Sequence, residues 1–212
     1  MYINALHQFT EREAIHGLMA AHPLGTWVCH TAQGLVANHV PFWLDRTRGP
    51  LGTLVGHVAR ANPLWQQPGA SIVAFQGPQA YVSPSWYPSK ALDGKQVPTW
   101  NYAVVQAHGQ PRAIEDKAAL LKIVTRLTQT HEASQALPWA VSDAPADYIE
   151  AMLGAIVGIE IPIERLVGKW KVSQNRAAAD AQGVVAGLGG VQGAHEADAR
   201  AMAALMQQPA PK

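Results

Sequence analysis

Residues 24–44, LGTWVCHTAQGLVANHVPFWL, are the stretch that decides the fold class. β-branched and aromatic residues fill both halves of it, and Ala32-Gln33-Gly34 separates the halves. Two strand-forming runs around a short turn that contains glycine are typical of a β-hairpin. We therefore expect a chain whose core is built from antiparallel strands.

Further strand-forming runs follow the hairpin, and helical patterns stand before and after them. The expected strands are residues 51–58, 71–76 and 79–82 around an interruption at 77–78, 99–114, 155–163 and 168–172. Helices are predicted from the capping-box spacing of residues 10–13 to Pro23, from Asp116 to His131, and over residues 142–154. Because strands are followed by helices, the pattern favours an α+β fold with an antiparallel barrel over a parallel sheet.

The overall composition excludes several classes of protein. Lys and Arg number 16 against 15 Asp and Glu, so the chain lacks the basic field that holds nucleic acid along a surface. Cys29 is the one cysteine, which excludes an intramolecular disulfide and a multi-cysteine metal site. The chain starts without a secretion signal, and its apolar runs are shorter than a membrane span. We expect a cytoplasmic protein with no membrane contact.

The segment Ser83–Pro98 connects two expected strands and carries residues that suit a ligand. It contains three prolines with aromatic and hydroxyl side chains, so we expect an irregular loop and no helix. Residues 56–63 and 168–176 also mix cations with small donors. Cations and hydroxyls can bind phosphate, and the aromatic side chains can stack on a flat ring; the candidates are Trp86, Tyr87, Trp100 and Tyr102. A solvated surface would show the same residue types, so the pattern alone leaves both interpretations open.

Four strings within these segments are more specific. They are GHVARANP (56–63), YVSPSWYPSK (81–90), VPTWNY (97–102) and GKWKVSQNR (168–176). In order and spacing they resemble the signature blocks of the PaiB-type FMN-binding negative transcriptional regulators. The resemblance runs from Met1 to about Leu188, so we assign residues 1–188 to one domain and 189–212 to a peripheral C-terminal tail.

The resemblance implies an antiparallel split β-barrel with flanking helices, related to pyridoxamine-phosphate oxidase. It also implies FMN at the interface of a homodimer and a role in transcriptional regulation. It places His57, Arg60, Ser83, Ser85 and Lys90 near the phosphate, and Asn38, His39, Thr99, Trp100 and Asn101 near the ring. Lys171, Gln174, Asn175 and Arg176 would complete the pocket, with the partner subunit as one source of these side chains. A cation such as Lys90 or Arg176 beside the pyrimidine edge would stabilise reduced flavin and raise its potential.

Other activities lack their sequence signatures. The glycine-rich run at 187–190 has Gln192 where a dinucleotide fingerprint has its third glycine. Neither HExxH nor Gly-x-Ser-x-Gly occurs, so we expect no obligatory metal and no hydrolase nucleophile.

Two alternatives to a regulator stay open. As an enzyme, the protein would use flavin to take electrons from a nicotinamide or to pass them to a small molecule or haem, with His22, His30 or His39 as axial ligand. As a sensor, it would bind flavin without turnover. Direct DNA contact has little support, because the helix after Asp116 offers only Lys117, Lys122 and Arg126 as cations.

Overall fold

The computed structural model describes residues 1–66, 68–209 and 211, and it confirms an α+β fold with antiparallel strands. Ala210 and Lys212, in the expected tail, lie outside the described residues. The chain divides into two compact units. The first unit comprises residues 1–18, 76–105 and 167–212, and the second unit comprises residues 19–75 and 106–166.

The described secondary structure consists of strands, α-helices and short 3-10 helices. The strands are β1 (Gln8–Phe9), β2 (Leu24–Thr31), β3 (Gly34–Pro41), β4 (Trp43–Asp45), β5 (Thr53–Ala59), β6 (Ser71–Val82), β7 (Thr99–Gly109), β8 (Arg112–Ile114) and β9 (Ile156–Lys171). The α-helices are α1 (Arg12–Ala21), α2 (Lys90–Asp93), α3 (Lys117–Glu132), α4 (Ala146–Gly154), α5 (Ala178–Gly189) and α6 (Glu196–Met206). The 3-10 helices are Ala5–His7, Pro63–Trp65, Pro84–Trp86, Val141–Asp143 and Gly193–His195.

Hydrogen bonds join the main strands in the order β3-β2-β6-β7-β9-β5-β4. β1 and β8 pair with β9 outside this path. The pairs β2–β3, β2–β6, β4–β5 and β5–β9 are all antiparallel. In this order β3 and β4 are the two end strands. Each of them pairs with one strand, whereas each inner strand of the path pairs with two.

The β2–β3 hairpin lies in the second unit, as the sequence predicted. Its register runs from Leu24 opposite Pro41 to Thr31 opposite Gly34. Trp27 of β2 is fully buried, and its Nε1 donates to the Ser71 hydroxyl at 2.9 Å. A buried indole N–H needs such a partner, so this contact helps to fix β2 against β6.

Helix α3 begins where the sequence predicted, after Asp116. The Asp116 carboxylate accepts from the Ala119 N–H at 2.8 Å, which satisfies one of the free amides at the start of the helix. Ile123 and Leu127 on its apolar face pack with Val55 of β5. Burial of each such side chain contributes about 1.5–3 kcal/mol to stability.

Phe9 of β1 packs into the first unit beside the end of β9. Its ring meets Trp170 edge to face, with the ring centroids 5.5 Å apart. Gly168 makes this approach possible, because a Cβ there would lie 2.5 Å from the Phe9 ring. The N-terminal strand is therefore stabilised by the close packing of Phe9 as well as by its pairing with β9.

Helices α5 and α6 follow β9 in the first unit. Val184 and Leu188 of α5 are buried, and so are Ala199 and Met202 of α6. The domain boundary that we predicted at residue 188 falls one residue before the end of α5 and stays a prediction.

Several predicted boundaries were wrong. β6 runs through Gly77-Pro78 without interruption, because the φ of proline suits an extended strand and glycine leaves room for Leu18. The run 99–114 is two strands, because Pro111 has no N–H for a sheet. The runs 155–163 and 168–172 belong to the single strand β9. The segment 83–98 is not free of helix, since it contains the turn Pro84–Trp86 and helix α2.

Among the described helices, none combines the length and the apolar character that crossing a bilayer requires.

Candidate functional site

The structure divides the predicted site residues between the two units. The first unit contains the larger group: Ser83, Ser85, Lys90, Thr99, Trp100, Asn101, Lys171, Gln174, Asn175 and Arg176. The second unit contains Asn38, His39, His57 and Arg60. Each group is described within its own unit.

Lys171, the last residue of β9, is the electrostatic centre of the first group. Its Nζ donates to the Thr99 hydroxyl at 2.7 Å and also to the carbonyl oxygen of Trp100. Burial lowers the pKa of Lys171 below its usual 10.5, and the charges of Lys169 and Arg176 lower it further. Both hydrogen bonds go to neutral oxygens while the neighbouring charges are positive, so the surroundings of Lys171 favour an anionic ligand.

Lys169 extends this positive region towards the N-terminus. Its Nζ lies 5.1 Å from the centroid of the Tyr102 ring and donates to the Tyr2 carbonyl at 3.3 Å. Burial lowers the pKa of His7, and the charges of Lys171 and Lys169 add to that effect. Neighbouring cations therefore favour the neutral form of His7. We call Lys169, Lys171 and Arg176 the cation cluster.

A chain of hydrogen bonds ties Arg176 to the segment 83–98. Arg176 Nη1 donates to Gln96 Oε1 at 3.0 Å, and Gln96 Nε2 donates to Ser89 Oγ at 2.8 Å. The Ser89 hydroxyl and amide N–H then donate to the two carboxylate oxygens of Asp180, at 2.8 and 3.0 Å. Asp180 is only 5% exposed, so this carboxylate is a buried anchor for the turn that leads into Lys90.

No sequence pattern predicts this anchor. Ser89 and Asp180 are separated by 91 positions, and only folding brings them together. Lys90 itself is exposed at the start of α2, where its ammonium group is free to reach a ligand.

Tyr87 lies under the guanidinium of Arg176. The Arg176 Cζ is 4.8 Å from the Tyr87 ring centroid, a distance at which the cation is attracted to the ring. Tyr87 is 2% exposed, and its hydroxyl has no hydrogen-bond partner among the described residues. A buried hydroxyl of this kind is a group that a bound ligand or water can satisfy.

Ser83 and Ser85 stand together at the Pro84–Trp86 turn. Their hydroxyl oxygens are 2.6 Å apart, and Ser83 Oγ also accepts from the Ser85 N–H at 3.3 Å. The structure therefore brings these two predicted phosphate ligands side by side.

Trp100 presents an open aromatic surface at the start of β7. Its side chain is 52% exposed, and its ring meets Tyr81 edge to face with centroids 6.1 Å apart. Since its carbonyl accepts from Lys171, the ring and the cation cluster are held next to each other. A flat, negatively charged ligand could use both.

Asn101 is buried and already hydrogen-bonded within the protein. Its Nδ2 donates to Ser173 Oγ at 2.9 Å and contacts Met206 Sδ at 3.6 Å. Ser173 has a φ of +61°, a left-handed conformation that is uncommon for a residue with a Cβ. The Asn101 amide thus holds the turn after β9 in place, a positioning role that the sequence did not predict.

Gln174 also belongs to this turn. Its Nε2 donates to the carbonyl of Leu6 at 2.9 Å and to that of Trp170, while its Oε1 accepts from the Val172 N–H at 2.8 Å. Asn175 is exposed beside it. The amide group of Gln174 is therefore hydrogen-bonded to backbone groups at both its nitrogen and its oxygen.

In the second unit, Asn38 lies on β3 and His57 lies on β5. Asn38 Oδ1 accepts from Asn62 Nδ2 at 3.0 Å. Burial lowers the pKa of His57, whose Nδ1 has no hydrogen-bond partner among the described residues. His39 is exposed on β3, opposite Thr26.

Arg60 is engaged with protein groups at every nitrogen. It pairs with Glu115 at 2.7 Å and donates to the carbonyls of Gly154 and Ile156 at 2.9 and 3.2 Å. Its guanidinium also lies 5.7 Å from the Trp65 ring centroid. These contacts hold the chain after β5 to the start of β9, and the phosphate-binding role expected for Arg60 stays a prediction.

FMN carries a doubly charged phosphate and a flat ring with a polar edge. The first unit offers a cation cluster, a pair of adjacent hydroxyls, an exposed indole and an unpaired buried Tyr87 hydroxyl within one compact body. These are the donor types that phosphate and a polar ring edge require, so the residues fit FMN. Among the described residues, no group of three or more His, Cys, Asp or Glu could hold a metal ion.

Comparison with known proteins finds relatives over most of the chain. An uncharacterized protein of Emericella nidulans is 35% identical over 226 aligned residues, which cover 89% of this chain and 90% of the relative. The protease synthase and sporulation protein PAI 2 of Bacillus subtilis is 32% identical, over 98% of this chain and 97% of its own length.

Solved structures share the fold at low sequence identity. A flavocytochrome from Azotobacter vinelandii superposes with a TM-score of 0.59 at 14% identity, covering 80% of this chain and 72% of its own. An FAD- and haem-binding protein from Mycobacterium smegmatis gives a TM-score of 0.58 at 18% identity, covering 78% and 73%. These likenesses confirm the antiparallel split-barrel fold with flanking helices.

The family comparison agrees with the signature strings. The model of the family described as "Putative FMN-binding domain" matches residues 1–165, so the cation cluster and helices α5 and α6 lie beyond the matched span. Because the match covers well over half of the chain, and the Bacillus relative aligns along nearly all of it, the chain belongs to this family of FMN-binding domains.

Proposed function

We propose that this protein is a PaiB-type regulator that binds FMN at the first unit's site and responds to the redox state of the flavin or to a small ligand. The relation to the sporulation protein of Bacillus subtilis supports the regulatory part. The observation that carries the binding site is Lys171, a half-buried cation with neutral hydrogen-bond partners, cationic neighbours and the exposed Trp100 ring beside it.

In this proposal the flavin ring lies on Trp100, with Lys171 and Arg176 near its polar edge. Ser83, Ser85 and Lys90 supply donors for the phosphate. Asn101, Gln174 and Asp180 position these groups, since their own polar atoms are already bonded to the protein. Bound FMN supplies reversible electron uptake, and a nearby positive charge favours the reduced, anionic ring.

Titration of FMN into the purified protein, followed by the quenching of flavin fluorescence, tests the site. We expect Lys171→Met to weaken FMN binding about tenfold, because a charge-assisted contact is lost. Lys122→Met is the matched control, since Lys122 is exposed on α3 in the other unit. It should bind FMN like the parent protein.

Equal affinities of the two lysine variants would contradict the assigned site, and failure of the parent protein to bind FMN would contradict the proposal as a whole. Addition of NADH and NADPH to the loaded protein then separates the alternatives. Rapid bleaching of the flavin would favour an oxidoreductase, while a stable spectrum would favour a sensor or regulator.

We further propose a homodimer in the cytoplasm. Leu35 of the end strand β3 is 74% exposed, with Val36 beside it and Leu24 exposed on β2. A second copy that covered these side chains would protect an open strand edge and bury apolar surface. The buried free thiol of Cys29 is compatible with a reducing compartment.

The contacts of α3 give little support to direct DNA binding. Lys117 pairs with Glu150 at 2.6 Å, and Arg126 lies 5.5 Å from the Trp43 ring centroid. Two of the three cations that α3 offers are therefore engaged within the protein. We propose that regulation proceeds through flavin or a ligand, and that any DNA contact is indirect.

A further inference from the structure

The first unit contains a cavity that shares only Trp100 with the residues of the FMN proposal. Its volume is about 350 Å³, within the range of small-molecule sites. One wall consists of β6 and Trp100, and the other is built by Trp86 and the C-terminal segment, through Leu188, His195 and Asp198. The C-terminal wall lies beyond the span that the family model matches, and it is built from α5, α6 and the segment between them.

Three aromatic side chains shape the interior. Tyr81 and Trp100 meet at an interplanar angle of 73°, so their rings form a corner. Trp86 is fixed by α5, because Gly187 lets the helix approach its ring so closely that a Cβ would lie 2.2 Å from it. The rings of two tryptophans and one tyrosine therefore line a small space whose shape the helix maintains.

The charge of the cavity complements a cation. The residues that line it include one acid, Asp198, and one histidine, His195, but no Lys or Arg. With histidine counted as neutral, the lining carries a single negative charge at neutral pH. The faces of aromatic rings attract cations, and Trp does so most strongly. A cavity lined by aromatic side chains and one carboxylate is thus suited to an organic ammonium group and unsuited to an anion.

We propose that this cavity binds a small organic ammonium cation, with the ammonium group between Asp198 and the tryptophan rings. Trp100 connects the cavity to the proposed flavin site, because its ring lines the cavity while its carbonyl accepts from Lys171. An effect of the bound cation on the flavin rests on the proposed function, whereas the binding of the cation does not. An occupant of the cavity would influence the flavin by shifting Trp100 and, through it, Lys171.

Isothermal titration calorimetry of the FMN-free full chain tests the cavity, with benzyltrimethylammonium as the probe and benzenesulfonate as an anion of similar size. We expect the ammonium to bind with a dissociation constant of roughly micromolar to millimolar size, and the sulfonate at least about tenfold more weakly. Asp198→Asn should weaken the ammonium about three- to tenfold, and Trp86→Leu about tenfold. Asp147→Asn, also in the first turn of an exposed helix, is the matched control and should leave binding unchanged.

Several outcomes would overturn the cavity proposal. These are equal binding of the two probes, equal affinities of the Asp198 and Asp147 variants, or no heat from the ammonium at millimolar concentration. Simple competition between FMN and the ammonium would also overturn it, because the cavity would then be part of the flavin site. If FMN fails to bind but the ammonium binds as expected, the cavity proposal is supported and only the proposed function is contradicted.

Discussion

At the scale of single residues, His57 shows how burial sets a dependence on pH. Burial lowers its pKa in the folded protein below the 6.5 of an exposed histidine. As pH falls below 6.5, His57 of the unfolded chain binds a proton more readily than His57 of the folded protein. The free energy of unfolding therefore decreases until the folded state is protonated as well. We expect the free energy of unfolding to fall as the pH drops through 6.5, and to fall less in His57→Asn.

Urea unfolding at several pH values provides the measurement. His131→Asn is the control, since His131 is exposed in the last turn of α3, and it should show the slope of the parent protein. A slope remains in every variant, because burial also lowers the pKa of His7, His22 and His108. Identical slopes for the two variants would show that His57 does not titrate as its burial implies.

At the scale of elements, α5 depends on two glycines that face Trp86. A Cβ at Gly187 would lie 2.2 Å from the Trp86 ring, and one at Gly183 would lie 2.1 Å from the Trp86 carbonyl oxygen. We expect Gly187→Ala to destabilise the protein by about 1–3 kcal/mol, because the indole or the helix must move. Urea denaturation would measure the change, and the Trp86 indole N–H resonance would report the displacement.

Gly189→Ala is the matched control in the same helix. A Cβ at Gly189 has nothing within 4 Å, so alanine should be neutral or stabilising by a few tenths of a kcal/mol. Equal stability of the two alanine variants would contradict the close packing of α5 on Trp86. It would also contradict a rigid cavity wall at that place.

At the scale of the whole molecule, the exposed apolar residues of β3 point to the proposed dimer. Leu35→Glu places a charge on the strand that a second copy would cover, and we expect it to raise the dimer dissociation constant at least about tenfold. Analytical ultracentrifugation over a range of concentrations would measure this. FMN affinity should fall in parallel if the partner subunit contributes to the site.

Leu137→Glu provides the comparison, because Leu137 is still more exposed than Leu35 and lies between α3 and α4. It should leave the assembly of the parent protein unchanged. A monomeric parent protein, or equal dissociation constants for both variants, would contradict the β3 interface.

The strings that carry the candidate ligand-binding residues could be recognised from the sequence, but the contacts of each residue could not. The resemblance placed Arg60 near the phosphate and Asn101 near the ring, and both stay predictions. In the structure Arg60 binds Glu115 and backbone carbonyls, and Asn101 binds Ser173. Asp180 was not predicted, because its role is to accept hydrogen bonds from Ser89, which lies 91 positions earlier in the chain. Spacing reports the type of donor that is available, and only the fold decides which atoms remain free for a ligand.

The sequence by itself determined the hairpin, the α+β class, the family and the start of α3 at Asp116. The hairpin, the class and the helix start follow from periodicity, turn residues and caps, which act between near neighbours in the chain. The family follows from the resemblance of the four signature strings. The tertiary structure alone decided that β6 passes through Gly77-Pro78, that Lys171 donates to Thr99 and Trp100, and that the C-terminal helices enclose a cavity. Those features depend on contacts between distant residues, whose energies come from packing and burial and leave no local pattern in the sequence.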